Sequence, residues 1–276
     1  MAGTGAAEEG YIQSFDSKLA FTFFLNYNFT NFNEGETDRE FTTNRPMDFG
    51  IGISYKRLAF SLSYNVPFFY DGDFKKSESL VLQLQYFHER FLLDLSYKNF
   101  EGFHQPDPIE FGGEADLKLT NIGVFSQYIW NNERHSLRAA YTMNEKQLRS
   151  SGSLLLGAGV FYTSVVSDDS LIEQYNRKRY FIQFGPNAGY SWTWVIIPGM
   201  FLNLSLSAGL HMGVDIEESR LFFAPGGFPA FSFGYSAERW SYGVTASLSL
   251  LTLNAGRENF DLIFSGKCVM MFVLRL

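Results

Sequence analysis

The chain has 276 residues, a net charge of −7, 46 % hydrophobic residues, 30 Phe, 15 Tyr and 25 Gly. An acidic chain without clustered Lys and Arg is excluded as a general nucleic-acid binder, because neutralising phosphates needs such clusters. The single Cys268 excludes an intrachain disulfide, and no apolar run reaches the roughly 18 residues that a transmembrane helix needs.

The start of the chain, Met1–Gly10, is small, polar and acidic and lacks the basic and apolar regions of a signal peptide. Residues 1–16 read as a leader or a mature N-terminus on the periplasmic side, ahead of one domain over residues 17–276. From there the chain alternates. Leu19, Phe21, Phe23, Leu25, Tyr27 and Phe29 interleave with Ala20, Thr22, Asn26, Asn28 and Thr30. Successive strand side chains point to opposite faces, so one face is apolar and the other small or polar.

Further strands follow in the same style. Phe49, Ile51, Ile53 and Tyr55 alternate with Asp48, Gly50, Gly52, Ser54 and Lys56, and Leu58, Phe60, Leu62 and Tyr64 with Ala59, Ser61, Ser63 and Asn65. Leu80–Tyr86, Phe91–Tyr97 and Leu137–Met143 carry the pattern on. The second half repeats it over Leu202–Met212, Phe231–Tyr235 and Tyr242–Leu250.

A soluble sandwich also alternates, but its outer face carries many charges. Here the polar face is mostly Gly, Ser, Asn, Thr and Gln, which suits a lumen. The spans are often ten or more residues, the length a membrane strand needs (about 9–11). Tyr and Trp near the span ends suit interfacial girdles. The expected fold is therefore an all-β, antiparallel transmembrane β-barrel in a bacterial outer membrane, in contact with lipid and lipopolysaccharide.

Short connections such as Lys56-Arg57, Glu89-Arg90, Asn131–Arg134, Ile197–Gly199 and Glu238-Arg239 alternate with long ones such as Asn31–Arg45, Glu101–Gly113 and Asp215–Gly227. That is the asymmetry of periplasmic turns and extracellular loops. The candidate spans number thirteen, whereas single-chain bacterial barrels have even counts. Counting inward from the two ends locates the discrepancy in Glu114–Arg179. One segment there is not a separate span, which favours twelve strands, with fourteen the alternative. The final stretch, Val269–Leu276, reads as a closing strand with Phe272, Leu274 and Leu276 on one face.

Four stretches carry a resemblance: Pro46–Ser61, Leu82–Phe103, Arg149–Gly159 and Phe184–Leu206. With their glycine and aromatic strand patterns the chain resembles a family of Bacteroidota outer-membrane proteins known as a domain of unknown function. The resemblance implies location and fold and supplies no site residues.

Charges expected on the inner face are Asp48, Lys56, Asp94, Lys98, Lys118, Arg138 and Glu238, with Lys267 beside them. His211 shares that face. Inward charges in a small barrel pair across the lumen, since unpaired buried charge is costly. A plugged lumen is favoured over a solute-selecting pore, because about twelve strands leave little room.

An enzymatic alternative, a lipid-modifying or hydrolytic barrel, rests on His211 with Ser205, Ser207 and Glu238. Ser207 and His211 lie about 13 Å apart along a strand, too far to touch. The expectation is a non-enzymatic barrel with no cofactor and no metal site, serving as a narrow pore or as a structural component that docks a protein partner. Asp215, Glu217 and Glu218, like Asp168 and Asp169, read as solvated acidic loops rather than cation sites. Leu221, Phe222 and Phe223, in the expected loop 215–227, are the candidate plug or docking element.

Overall fold

In the computed structural model, described over residues 10–34, 39–43, 47–65, 77–104, 114–167, 178–253 and 261–276, the chain forms a closed antiparallel barrel. Two short strands, β1 (Ile12–Ser14) and β9 (Glu145–Gln147), pair with each other apart from it. The wall strands are β2 (Leu19–Glu34), β4 (Met47–Tyr55), β5 (Leu58–Asn65), β6 (Glu78–Phe87), β7 (Phe91–His104) and β8 (Glu114–Ile129). They continue as β10 (Ser151–Ser167), β11 (Arg179–Ile197), β12 (Met200–Asp215), β13 (Arg220–Ser236), β14 (Trp240–Leu253) and β15 (Asp261–Arg275). β15 pairs back onto β2 and closes a twelve-strand ring, which satisfies the backbone without exposed edges.

The ring is not uniform along its axis. A further strand, β3 (Arg39–Thr43), continues the line of β4 beside β2 and also bonds β7 through Thr42↔His104 and Thr43↔Phe103. At that level the closed circuit runs β2–β3–β7 and leaves out β4, β5 and β6. Ten strands enclose less space than twelve, because barrel diameter grows with strand number.

Alternation explains the two faces. Phe23, Leu25, Ile51, Ile53, Val160, Phe184, Leu204 and Leu210 point outward and are exposed, Leu206 at 61 % and Met270 at 64 %. A continuous apolar exterior of this extent is the surface of a barrel in hydrocarbon. Tyr128 with Trp130, Tyr190 with Trp192 and Trp194, and Tyr235 with Trp240 and Tyr242 stack on the outside near the short turns. They form the girdle at that interface. The β11–β12 turn passes through Pro198-Gly199, where Gly199 at φ +93° takes the left-handed position of a type II turn.

Two expectations are corrected. Residues 135–144 do not span the membrane: they contain a five-residue helix, α1 (Leu137–Tyr141), within the β8–β10 connection. This restores the even count of twelve. Asp215–Gly227 is not a long loop, because β12 and β13 pair from Asp215↔Arg220 onward. The hairpin turns within Ile216–Ser219, and Phe222 is an inward wall residue.

Candidate functional site

Among the described residues, buried side chains crowd the lumen at both ends and leave a hollow in the middle. Taking the short-turn end as periplasmic, the outer third is filled by apolar side chains of the wall. Phe32, Phe41, Phe103, Leu117, Leu119, Val165, Phe181, Phe222 and Leu253 are buried there in one cluster. The narrowed ring brings β3 and β7 close enough for Phe41 and Phe103 to join it.

At the periplasmic end the closure is a separate segment. After β8 the chain turns into the barrel rather than across its mouth. Ser136 caps α1 by accepting from the Ala139 amide at 3.0 Å. Leu137 packs on Phe87, Leu92, Ile129 and Leu155. Met143, wholly buried, sits among Phe24, Phe201, Val269, Met271 and Val273. The wall is notched for it. Gly234 and Gly243 face each other on β13 and β14, and a Cβ on either would lie within 2.7 Å or 2.2 Å of Met143 Cε.

Polar contacts fasten this segment. Arg275 donates to the Met143 carbonyl, to Ser241 Oγ at 2.6 Å and to the Ala237 carbonyl at 2.9 Å. Its guanidinium lies 3.7 Å from the Phe15 ring centroid. Asn144 donates to Ser54 Oγ at 3.0 Å. β1 pairs with β9 on the segment's free edge, and the Tyr11 carbonyl accepts from the Leu148 amide at 2.8 Å.

A serine–histidine pair lies at this seat, and it is not the one the sequence suggested. His135 Nε2 is 2.9 Å from Ser191 Oγ, and His135 Nδ1 is 3.2 Å from the Ser151 carbonyl. The carbonyl fixes the proton on Nδ1, so Nε2 accepts from the serine. Burial lowers the His135 pKa to about 4, against the opposing pull of the Ser151 carbonyl. With His135 1 % exposed and Ser191 at 0 %, the pair fastens plug to wall. No sequence pattern marks this pair, because His135 and Ser191 meet only once the β8–β10 connection folds inward.

Between the two closures is a cavity of about 290 Å³. Its wall mixes Phe24, Phe100, Phe125, Phe161 and Phe228 with Asn, Gln, Ser, Asp94, Lys98 and Lys267. Asp94 Oδ2 accepts from Gln83 Nε2 at 2.6 Å and from Gln85 Nε2 at 2.7 Å. Lys267 reaches across the lumen to Gln83 Oε1 at 2.9 Å. Gln127 donates to Ser207 Oγ at 2.8 Å.

The charges expected to form one lumen network are dispersed. Asp94, Lys98 and Lys267 meet in the cavity. Asp48 is buried nearby and accepts from Asn28 and, at 2.7 Å, from Ser79. Arg138 belongs to the plug, where it pairs with Glu145 at 3.3 Å and donates to the Lys56 carbonyl. Lys56 and Glu238 lie at periplasmic turns, Lys56 exposed and Glu238 accepting from Gln13 at 3.1 Å. Lys118 points out of the barrel and pairs with Glu101, because Leu117 and Leu119 take the inward positions.

His211 faces inward and is fully buried. It fits a niche left by Gly185, Gly209 and Gly226 on three adjacent strands, and touches the rings of Phe161 and Phe228. Neither ring nitrogen has a hydrogen-bond partner among the described residues, so no triad with Ser205, Ser207 or Glu238 exists. Of the candidate docking element, Phe222 is in the outer cluster, while Leu221 and Phe223 face outward. Asp215 is buried and paired with Arg179, and Asp168 and Asp169 lie outside the described residues. Among the described residues no three His, Cys, Asp or Glu side chains gather as a metal would require.

Solved outer-membrane proteins are similar to the chain over most of its length. OmpT of Vibrio cholerae is 8 % identical, with 92 % of this chain and 98 % of that one covered and a TM-score of 0.35. A bacterial polysaccharide outer membrane secretin is 9 % identical, covering 94 % and 99 %, with a TM-score of 0.41. A Pseudomonas aeruginosa FadL homologue is 11 % identical, covering 94 % and 90 %, with a TM-score of 0.32. No curated protein matches the chain. A family model described as "Domain of unknown function (DUF4421)" matches residues 8–269.

Proposed function

Given that the chain belongs to the DUF4421 family, we propose that it is a non-enzymatic barrel of the bacterial outer membrane, of Bacteroidota type, that works as a gated narrow pore. The observation that supports this is the central chamber, closed on one side by wall residues and on the other by a segment that is not part of the wall. A lumen packed to interior density would leave no room for a solute, and this one leaves a cavity of about 290 Å³. Residues 131–150 serve as the periplasmic gate, and the outer apolar cluster is a hydrophobic constriction. The absence of catalysis is part of the proposal, supported by a His211 that touches phenyl rings.

Planar-bilayer recording tests the gate. The wild-type protein is expected to be almost silent. A variant with residues 132–149 replaced by a short Gly-Ser turn, combined with Phe41→Ala and Phe103→Ala, is expected to show steady single-channel steps. Silence of that combined variant, with its β-sheet circular dichroism intact, would overturn the pore and leave the structural role. Leu221 and Phe223, exposed at 65 % and 64 % near the outer end of β13, are then the surface through which a protein partner would dock.

A further inference from the structure

Among the described residues that line the chamber are two ammonium groups, Lys98 and Lys267, and one carboxylate, Asp94. Lys98 carries its ammonium into the cavity and makes no hydrogen bond or ion pair with any described residue. Lys267 has a neutral partner, the Gln83 amide oxygen, and lies near enough to repel Lys98. Asp94, the one carboxylate among the described residues of the cavity wall, attracts both ammonium groups and is itself hydrogen-bonded by the two glutamine amides. Two ammonium groups that share a single carboxylate, itself occupied by amide donors, leave a net positive site that an incoming anion completes.

The rest of the wall restricts what the anion is attached to. Phe125, Phe161 and Phe228 pack together on one side, with centroids 5.0 Å and 5.8 Å from Phe228. At about 290 Å³, the cavity is at the lower end of small-molecule sites, which run to about 300–1,000 Å³. We propose that the chamber binds a small amphipathic carboxylate, its anionic end between Lys98 and Lys267 and its aromatic or alkyl body against the phenyl cluster. This rests on the gated-pore reading and names its solute class.

Equilibrium dialysis of the detergent-solubilised protein tests it, since slow entry past the plug does not alter an equilibrium measurement. The probes are 3-phenylpropanoate and its neutral amide, with empty micelles as the blank. The acid is expected to bind at least about tenfold more tightly than the amide, and Lys98→Gln and Lys267→Gln each to weaken the acid by a similar factor, as for charge-assisted hydrogen bonds. Equal binding of acid and amide, or no binding of either, would overturn the proposal. So would folded Gln variants that bind the acid like wild type. Should a variant fail to fold, the acid–amide comparison on the wild-type chain decides alone. Conduction by the plug-replaced barrel is read separately, so the gate can stand where the solute class falls.

Discussion

At its outer end the lumen is filled by the wall's own side chains, Phe32, Leu119, Phe181 and Phe222 among them. At the periplasmic end a separate segment fills it, seated on Met143, His135 and Arg275. The outer contacts lie between strands that are hydrogen-bonded into one ring, so they cannot separate unless the ring opens. The plug's contacts join a short connection to that ring, and they can break while every wall ladder stays closed. Equal burial therefore gives unequal opening: one end shares the global stability of the barrel and the other has its own, lower, local stability.

The largest expected effect comes from breaking the outer end. Phe181→Ala removes a fully buried phenyl from the cluster and should cost about 3–5 kcal/mol. Denaturant unfolding of the barrel in detergent should show that loss in full. Amide exchange in residues 131–150, governed by local opening, should be unchanged. If plug amides exchange faster in proportion to the lost stability, the two ends open together and the comparison fails.

Acid should sharpen the contrast at the plug. The His135 pKa is lowered to about 4 by burial, below an ordinary value near 6.5. A released plug takes up a proton below about 6.5, whereas the seated plug does so only near 4, so seating weakens as pH falls through that window. The full loss is at most about 3 kcal/mol. Protease cleavage within 131–150 should accelerate between pH 6.5 and 4 while the barrel remains folded. In His135→Gln, which keeps a hydrogen bond but does not titrate there, that acceleration should largely vanish. A pH response that persists in the variant would assign the effect to other groups.

The same contrast marks what the sequence disclosed. Through the membrane-spanning middle, lipid outside and polar lumen inside make parity unambiguous. Phe23, Ile51 and Leu206 against Asn26, Gly52 and Ser207 are readable by alternation alone. Asp94 and Lys98 were legible for that reason. At the outer end the lumen itself is apolar, so alternation there no longer separates inside from outside. This is why the start of β13 passed for a loop. The plug was legible only as a parity error in the strand count. Its apolar residues, Leu137, Ala139, Tyr141 and Met143, repeat every second position and imitate a strand, although Leu137–Tyr141 is a helix. No local pattern distinguishes a lumen-filling segment from a wall strand, because both bury apolar side chains.

The smallest effect is expected at Lys118, and it tests where the inversion begins. A lysine buried inside the lumen in an ion pair would leave its partner unpaired when removed, costing about 3 kcal/mol or more. Lys118 instead faces outward beside Glu101, the two side chains 51 % and 41 % exposed. Exposed pairs of this kind contribute between about 0 and 1 kcal/mol. Lys118→Ala should therefore shift the unfolding midpoint barely measurably, whereas Leu119→Ala, one residue along and fully inward, should cost about 2–5 kcal/mol. The ratio of these two losses reads the facing of β8 directly. Were Lys118→Ala the costlier substitution, the strand would be turned over and the apolar outer closure would lose Leu117 and Leu119 together.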